Sequence, residues 1–353
     1  MRHYKWIAYL VTLLFATGLT TSAQEEPSIF ILRDDMLLTL NVEGVQQETA
    51  NLEPLSLPIT DFSDSAQGYI ASVDITADGS QLYALLHQGR LSAQLPFPTR
   101  TQLIEIDPSA ATSMVIYERP GIFAFVLSPN AERMIVGYYD ADYYFSTRHS
   151  CILDLQTRVC TLTPHQISSN PGDWIDSDRY LVASQSDYML HVLNVETGQD
   201  RALPLPPEWI LNAAAPIPNT QMIIVGADQR EISGQSESSF LTISIDTLEV
   251  RELPYVTPSN GYYPVVSSWS FSPDNQYMLY GDTHKALVDF TTGRLVRELD
   301  TVVNFGWTDD HTLIIQGSVS LGSGPEIAEI DAASGDVRQL AFGDAASGIM
   351  LIP

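Results

Sequence analysis

The sequence predicts an all-β chain folded as a single β-propeller of four-stranded blades, and three observations predict it. One phrase recurs six times between Val73 and Pro353: an apolar strand, a turn built on Asp or Asn, a second apolar strand, a third ending near an acidic residue, and a polar fourth. The third-strand endings fall at Asp107, Asp154, Asn194, Asp246, Asp289 and Asp331, a spacing of roughly 40 to 50 residues, which is the period of a propeller blade. No helical period of comparable length occurs in the mature chain.

The first 23 residues place Arg2 and Lys5 ahead of an apolar stretch from Ile7 to Leu14, with small residues Thr21, Ser22 and Ala23 at its end. This is the pattern of a secretory signal, cleaved before Gln24, because the apolar run is shorter than the roughly 18 residues of a spanning helix. The alternative is an uncleaved membrane anchor. No Cys follows the apolar run, so a lipid anchor on cysteine is not expected. Residues 24–353 are then the propeller domain of an exported protein, periplasmic or extracellular, with no membrane span in the mature chain.

From Ser28 to Leu52 the chain supplies the second, third and fourth strands of a blade without the first, and Ser347 to Pro353 (SGIMLIP) is an apolar run without a partner of its own. Joined, they make a seventh blade that latches the ring through its N- and C-terminal strands. The alternative is six blades with flanking ends, which would leave the IFILRDD strand as an exposed apolar edge. Between these ends lie the six hairpins: SVDITADGSQLYALL from Ser72, AFVLSPNAERMIVGY from Ala124, DWIDSDRYLVAS from Asp173, AAPIPNTQMIIVG from Ala214, SFSPDNQYMLYG from Ser270 and GWTDDHTLIIQG from Gly306. Pro129, Pro218 and Pro273 preset φ for the turn, Asp78 and Asp274 can bond their own backbone two residues on, and Gly79 and Asn275 tolerate positive φ.

The segment SWSFSPDNQYMLYGD from Ser268, with DWIDSDRYLVAS and GWTDDHTLIIQG as degenerate relatives, resembles the Trp-Ser-Pro-Asp-Gly repeats of TolB-like propellers, cousins of the propeller domain of prolyl oligopeptidases. The resemblance covers the mature chain as a blade pattern, and the fifth repeat alone carries a near-complete motif. It implies the fold, and says little of function, because the motif residues build the inner hairpin of a blade. The expected layout lacks the α/β domain that precedes the propeller in TolB and the hydrolase domain that follows it in prolyl oligopeptidases.

Cys151 and Cys160 flank ILDLQTRV, the outer hairpin of the second full blade. Pairing Ile152 with Val159 and Leu153 with Arg158 would set the two sulfurs opposite one another, and export favours a disulfide. Closing so small a loop stabilises by roughly 2 to 3 kcal/mol if unstrained.

Without the signal the chain carries a net charge of about −28 and one lysine, Lys285. Nucleic acid is disfavoured as a partner, because phosphate binding needs basic patches. The acidic residues are spread over turns and strand ends and read as a solvated exterior. GQSESS from Gly234 and GSVSLGSG from Gly317 lack the spacing of a nucleophile elbow. His87, His149, His165, His191, His284 and His311 show no zinc spacing. The acidic pairs Asp34 and Asp35, Asp140 and Asp142, Asp309 and Asp310 form no calcium loop. No catalytic residue, metal or cofactor is therefore expected.

What remains is loop placement. Second-to-third loops and blade-to-blade connectors open on one face of a propeller, and this chain crowds that face. HQGRLSAQLPFPTR starts at His87, YYDADYYFSTRH at Tyr138, DQREISGQSESS at Asp228, GSVSLGSGPE at Gly317, and the connectors start at Pro54 and Tyr255. Long loops on a rigid scaffold are the usual carriers of binding. Tyr138, Tyr139, Asp140, Asp142, Tyr143, Tyr144 and Phe145 in one loop, with Tyr255, Tyr262 and Tyr263 in another, form the candidate binding face, since tyrosine joins a large apolar ring to a polar tip. Tyr138 and Tyr139 also read as the continuation of a blade strand. The expected function is that of a monomeric, non-enzymatic propeller binding a basic or amphipathic protein or peptide. The alternatives are a carboxylate-dependent hydrolase of carbohydrate or ester substrates acting at the central channel, and a polysaccharide-binding module.

Overall fold

The computed structural model describes residues 28–33, 36–41, 53–54, 69–88, 100–107, 110, 112–139, 147–167, 172–207, 209–229, 238–253, 268–281, 284–318, 326–342 and 349–351. The N-terminal segment forms β1 (Ser28–Arg33), β2 (Met36–Asn41) and β3 (Glu53–Pro54). Blade 1 follows as β4 (Tyr69–Ile75), β5 (Leu82–Gln88), β6 (Arg100–Asp107) and β7 (Thr112–Glu118), and blade 2 as β8 (Ile122–Leu127), β9 (Arg133–Tyr139), β10 (Arg148–Asp154) and β11 (Cys160–Gln166). Blade 3 comprises β12 (Asp173–Trp174), β13 (Arg179–Ala183), β14 (Leu190–Asn194) and β15 (Asp200–Leu203). Blade 4 comprises β16 (Trp209–Pro216), β17 (Met222–Gln229), β18 (Ser238–Ser244) and β19 (Val250–Leu253). Blade 5 is β20 (Ser268–Phe271), β21 (Tyr277–Gly281), β22 (Lys285–Asp289) and β23 (Leu295–Leu299), and blade 6 is β24 (Thr301–Trp307), β25 (Thr312–Ser318), β26 (Glu326–Asp331) and β27 (Val337–Phe342). The last strand is β28 (Ile349–Leu351).

Each of these six blades is a four-stranded antiparallel sheet in chain order. The two ends of the chain share a further four-stranded sheet, in the order β28, β1, β2, β3. Within it β28 runs antiparallel to β1, with Phe30 opposite Leu351, Ile31 opposite Met350 and Leu32 opposite Ile349. β28 neighbours β24 of blade 6 on one side and β4 of blade 1 on the other.

The cores lie between blades. Along each second strand, alternate residues go to opposite sides. Met134 and Val136 pack with Tyr83, Leu85 and Leu103 of blade 1, whereas Ile135 packs with Trp174, Tyr180 and Val182 of blade 3. Ile223 and Val225 join Leu181, Leu190 and Val192 of blade 3, and Ile224 joins Phe271, Met278 and Tyr280 of blade 5. Tyr277 and Leu279 face Leu313 and Ile315 of blade 6. Hydrogen bonds between neighbouring inner strands supplement this packing: Leu127 N–H donates to Asp74 at 3.2 Å, Trp174 Nε1 to the Val126 carbonyl at 3.1 Å and Trp307 Nε1 to Ser270 Oγ at 3.0 Å.

The turns follow their sequence chemistry. Asp78 Oδ1 accepts from the Thr76 hydroxyl at 2.6 Å and the Ser80 N–H at 3.0 Å, and the Thr76 hydroxyl leads the contacts that hold this exposed carboxyl down to about 2. Gly79 and Asn275 take φ of 70° and 59°. The acidic residues at third-strand ends also have a local cause. Asp154, Asp289 and Asp331 each accept N–H bonds from the following turn, such as Thr157 N–H at 2.7 Å and Ser334 N–H at 2.7 Å. In blade 4 this place belongs to Ser244, whose hydroxyl accepts from Thr247 N–H at 3.2 Å, so β18 ends two residues before the expected Asp246.

Cys151 and Cys160 form a disulfide with a Cα–Cα distance of 5.6 Å. The register differs from expectation: Leu153 stands opposite Cys160 and Cys151 opposite Leu162, so the bridge is diagonal. Closure of the Asp154 turn, with Arg158 at φ 60°, displaces the pairing by two residues. Lys285 is buried at the start of β22, donating to the Gly281 carbonyl at 3.1 Å and lying over the Phe305 ring. No helix among the described residues is long and apolar enough to cross a membrane.

Removing residues 348–353 deletes β28 and leaves one edge of β1 unpaired. With each lost backbone hydrogen bond costing about 1 kcal/mol and each kcal/mol shifting the midpoint by roughly 2 to 4 °C, the truncated chain is expected to melt about 10 °C lower, or to lose cooperativity. An unchanged melting curve by circular dichroism would show that the terminal sheet is no latch.

Candidate functional site

The second-to-third segments 89–99, 140–146, 230–237 and 319–325, with the connectors 55–68 and 254–267, lie outside the described residues. The strands that bound them nevertheless end on one side of their sheets, because successive strands in each sheet run antiparallel. Asp140, Asp142, Tyr143, Tyr144, Phe145, Tyr255, Tyr262 and Tyr263 fall in these segments. The other two predicted residues end β9. Tyr138 is 4% exposed, in the core between blades 1 and 2, with the Arg119 guanidinium 3.7 Å from its ring centroid. Tyr139 is half-buried against Phe123, 4.8 Å between ring centroids.

Blade 3 has the short version of the same loop, and all of it is described. It projects Tyr188, 78% exposed, from a backbone at φ 60°. That left-handed conformation is uncommon for a bulky residue. Asp187 supports it by accepting from Met189 N–H at 3.2 Å. Nothing in the sequence marked Tyr188, because its loop is neither long nor rich in aromatic residues.

Directly below this loop, between blades 2 and 3, polar groups converge from three strands. His165 of β11 places Nε2 at 2.7 Å from Asp200 Oδ2 on β15. His191 of β14 places Nδ1 at 2.8 Å from Asp200 Oδ1 and Nε2 at 2.9 Å from Asp187 Oδ2. The two imidazole centroids are 3.8 Å apart. Burial pushes both Asp187 and Asp200 up, but hydrogen bonds hold each below its ordinary value: from Ser184 and His191 to Asp187, and from His191 and His165 to Asp200. Alternation on β14 explains the placement: Leu190 and Val192 face blade 4, leaving His191 and Leu193 toward blade 2. Spacing rules missed the group because His165, His191 and Asp200 meet only across strands, although Asp187 stands four residues before His191. His87 is a different case, a buried histidine with Nε2 at 3.0 Å from the Ile122 carbonyl, pushed below its ordinary value by burial.

A second polar group lies at the inner strands. Asp74 of β4 accepts from Ile75 and Leu127 N–H, and Asp173 of β12 accepts from Trp174 N–H at 2.9 Å. Burial raises Asp74 against those two N–H contacts. Burial also pushes Asp173 up to about 6, with the charge of Asp74 adding to the shift. Both side chains remain partly accessible to solvent. The Ser72 hydroxyl on β4 is buried with no hydrogen-bond partner among the described residues.

No family model matches the chain, and no curated protein does. Solved structures do match. The β-propeller domain of the Trilobed protease from Pyrococcus furiosus aligns over 78% of this chain and 86% of its own, at 13% identity and a TM-score of 0.54. A structure of prolyl endopeptidases aligns over 93% of this chain at 12% identity and a TM-score of 0.58, the alignment spanning half of that protein's length. TolB from Acinetobacter baumannii aligns over 93% of this chain and 66% of its own at 14% identity, with a TM-score of 0.45. At such identities the first two likenesses speak for the fold alone: the chain is a β-propeller of four-stranded antiparallel blades.

The Asp173 carboxyl gives a testable pH signature. Its folded value, about 6, lies above the ordinary 3.8, so the native state holds the proton more tightly. Its contribution to stability is greatest below about pH 4 and is lost as pH rises through about 6. Asp173→Asn keeps the acceptor for Trp174 N–H and removes the charge. It is expected to melt a few degrees above the parent chain at pH 8, with the difference closing toward pH 4. A parent chain that melts as high as the variant at pH 8 would refute the buried charge.

Proposed function

We propose that this protein is an exported, non-enzymatic β-propeller that binds a protein or peptide on the side where its second-to-third loops open. The observation that carries this reading is Tyr188, a bulky aromatic left 78% exposed on that side in a conformation that few residues adopt. Exposed aromatic rings of this kind anchor interfaces. The tyrosines of segments 140–146 and 254–267 would extend the surface, and the net negative charge of the chain favours a basic or amphipathic partner. The signal-like first 23 residues and the disulfide fit an oxidising compartment outside the cytoplasm. In this reading the terminal sheet is the seventh blade, closing a TolB-like ring.

A second reading rests on Asp74 and Asp173, whose raised carboxyls at the inner strands have the character of an acid–base pair. It makes the chain a hydrolase of carbohydrate or ester substrates. Turnover of aryl glycoside or ester substrates that disappears in Asp173→Asn would favour it over the binder.

The binding reading is tested by affinity capture from the envelope and secreted fractions on the immobilised mature chain. The combined variant Tyr143→Ala, Tyr144→Ala, Tyr262→Ala and Tyr188→Ala is expected to weaken capture at least about tenfold, as loss of hot-spot aromatics does, while shifting the melting temperature by no more than about 2 °C, as surface changes do. Normal capture by that variant would overturn the proposed face, and retention of the parent chain on polysaccharide columns alone would replace the protein partner with a carbohydrate.

A further inference from the structure

His191 presents both ring nitrogens to carboxylates, Nδ1 to Asp200 and Nε2 to Asp187, with its side chain 7% exposed. A neutral imidazole carries one N–H and donates to one of them. The other contact needs either a second proton or a cation in its place. His165 Nε2 approaches the remaining oxygen of the same Asp200, and its ring lies 3.8 Å from that of His191. One imidazolium at His191, with a neutral His165 donating its Nε2 N–H to Asp200, is the metal-free arrangement. The alternative is two neutral rings, tilted 36° to each other, that turn lone pairs toward one shared dication beside Asp200.

We propose that His165 Nε2, His191 Nδ1 and a carboxylate oxygen of Asp200 form a three-ligand site for one divalent transition-metal ion of the zinc type, with Asp187 as the outer partner of His191. The three residues offer ligand atoms that lie within 4.8 Å of one another, a separation that small side-chain rotations bring to the spacing of ligands about 2.0 to 2.2 Å from a common metal. Asp187 supplies the independent indication. A metal-bound histidine almost always donates its other N–H to a carboxylate or carbonyl, which fixes the ring and its tautomer, and Asp187 Oδ2 stands 2.9 Å from His191 Nε2 in that role. Two imidazoles and one carboxylate suit zinc and its neighbours in the first row better than calcium or magnesium, which prefer all-oxygen shells. Access comes from Asp200, whose side chain is 34% exposed, so water or a partner's side chain can complete the coordination. The ligands come from blade 2 and blade 3, so the ion ties the two blades beneath Tyr188. This reading departs from the sequence expectation of no metal, and it stands whether or not the loop face binds a partner.

The mature chain, prepared without a histidine tag and stripped by chelator, is titrated with Zn2+ by calorimetry and melted with and without the ion. One equivalent is expected to bind saturably and to raise the melting temperature. His165→Gln and Asp200→Asn are expected to abolish that binding while folding normally in chelator, and Asp187→Asn to weaken it about 10- to 100-fold, the effect of losing an outer partner. Absence of saturable binding, or binding that persists in His165→Gln and Asp200→Asn, would overturn the proposal in favour of a network held by protons. Should either variant fold poorly, the visible spectrum of the Co2+-loaded parent chain decides. Intense bands of a low-coordinate nitrogen and oxygen site support the site, and the weak spectrum of hydrated Co2+ refutes it.

Discussion

Burial of each blade's second strand on both faces is the constraint on which the rest of the structure depends. In β9, β17 and β21 successive residues alternate between the core shared with the preceding blade and the core shared with the following one. A strand in that position needs apolar residues at consecutive places, which is why MIV, IIV and YMLY run without polar interruption. No blade can be lifted out without exposing two cores at once, and stability in such a ring depends on nearest-neighbour contacts and on closure. The pairing of β28 with β1 therefore matters beyond its three residue pairs.

The same geometry decides where polar chemistry can survive. Buried polar groups mostly find partners, as His87 and Trp174 do through backbone carbonyls, the Ser72 hydroxyl being an exception among the described residues. Between blades 2 and 3, polar side chains are accommodated where they satisfy one another. His165 on an outer strand, Asp200 on another and His191 one strand further in meet under this condition. Asp74 and Asp173 keep backbone donors but are crowded by protein, and their carboxyls rise accordingly.

The hairpin turns and the third-strand turns employ part of the chain's acidic residues as local acceptors. Asp78, Asp154, Asp274, Asp289 and Asp331 are held below the ordinary carboxylate range by hydroxyl and N–H donors within their own turns, which outweigh the opposing effect of burial, the largest single contribution at Asp289. They are structural acids, and their number says nothing about a ligand. The acidic groups with a claim to function are those whose partners come from other strands.

By itself the sequence determined the blade period, the hairpin turns, the pairing of the two cysteines and the joining of the chain's ends, because each is written in residues close together or in a repeating apolar pattern. Gly79 and Asn275 announce their turns through positive φ, and Asp154 announces the end of its strand by capping the next turn. Tertiary structure alone decided the diagonal register of the disulfide, the exposure of Tyr188, the burial of Tyr138 and the convergence of His165, His191 and Asp200. These depend on which face of a strand meets which neighbouring blade, and a shift of one residue in strand register exchanges the two faces. Local sequence carries no record of that choice, whereas the packed ring leaves no alternative to it.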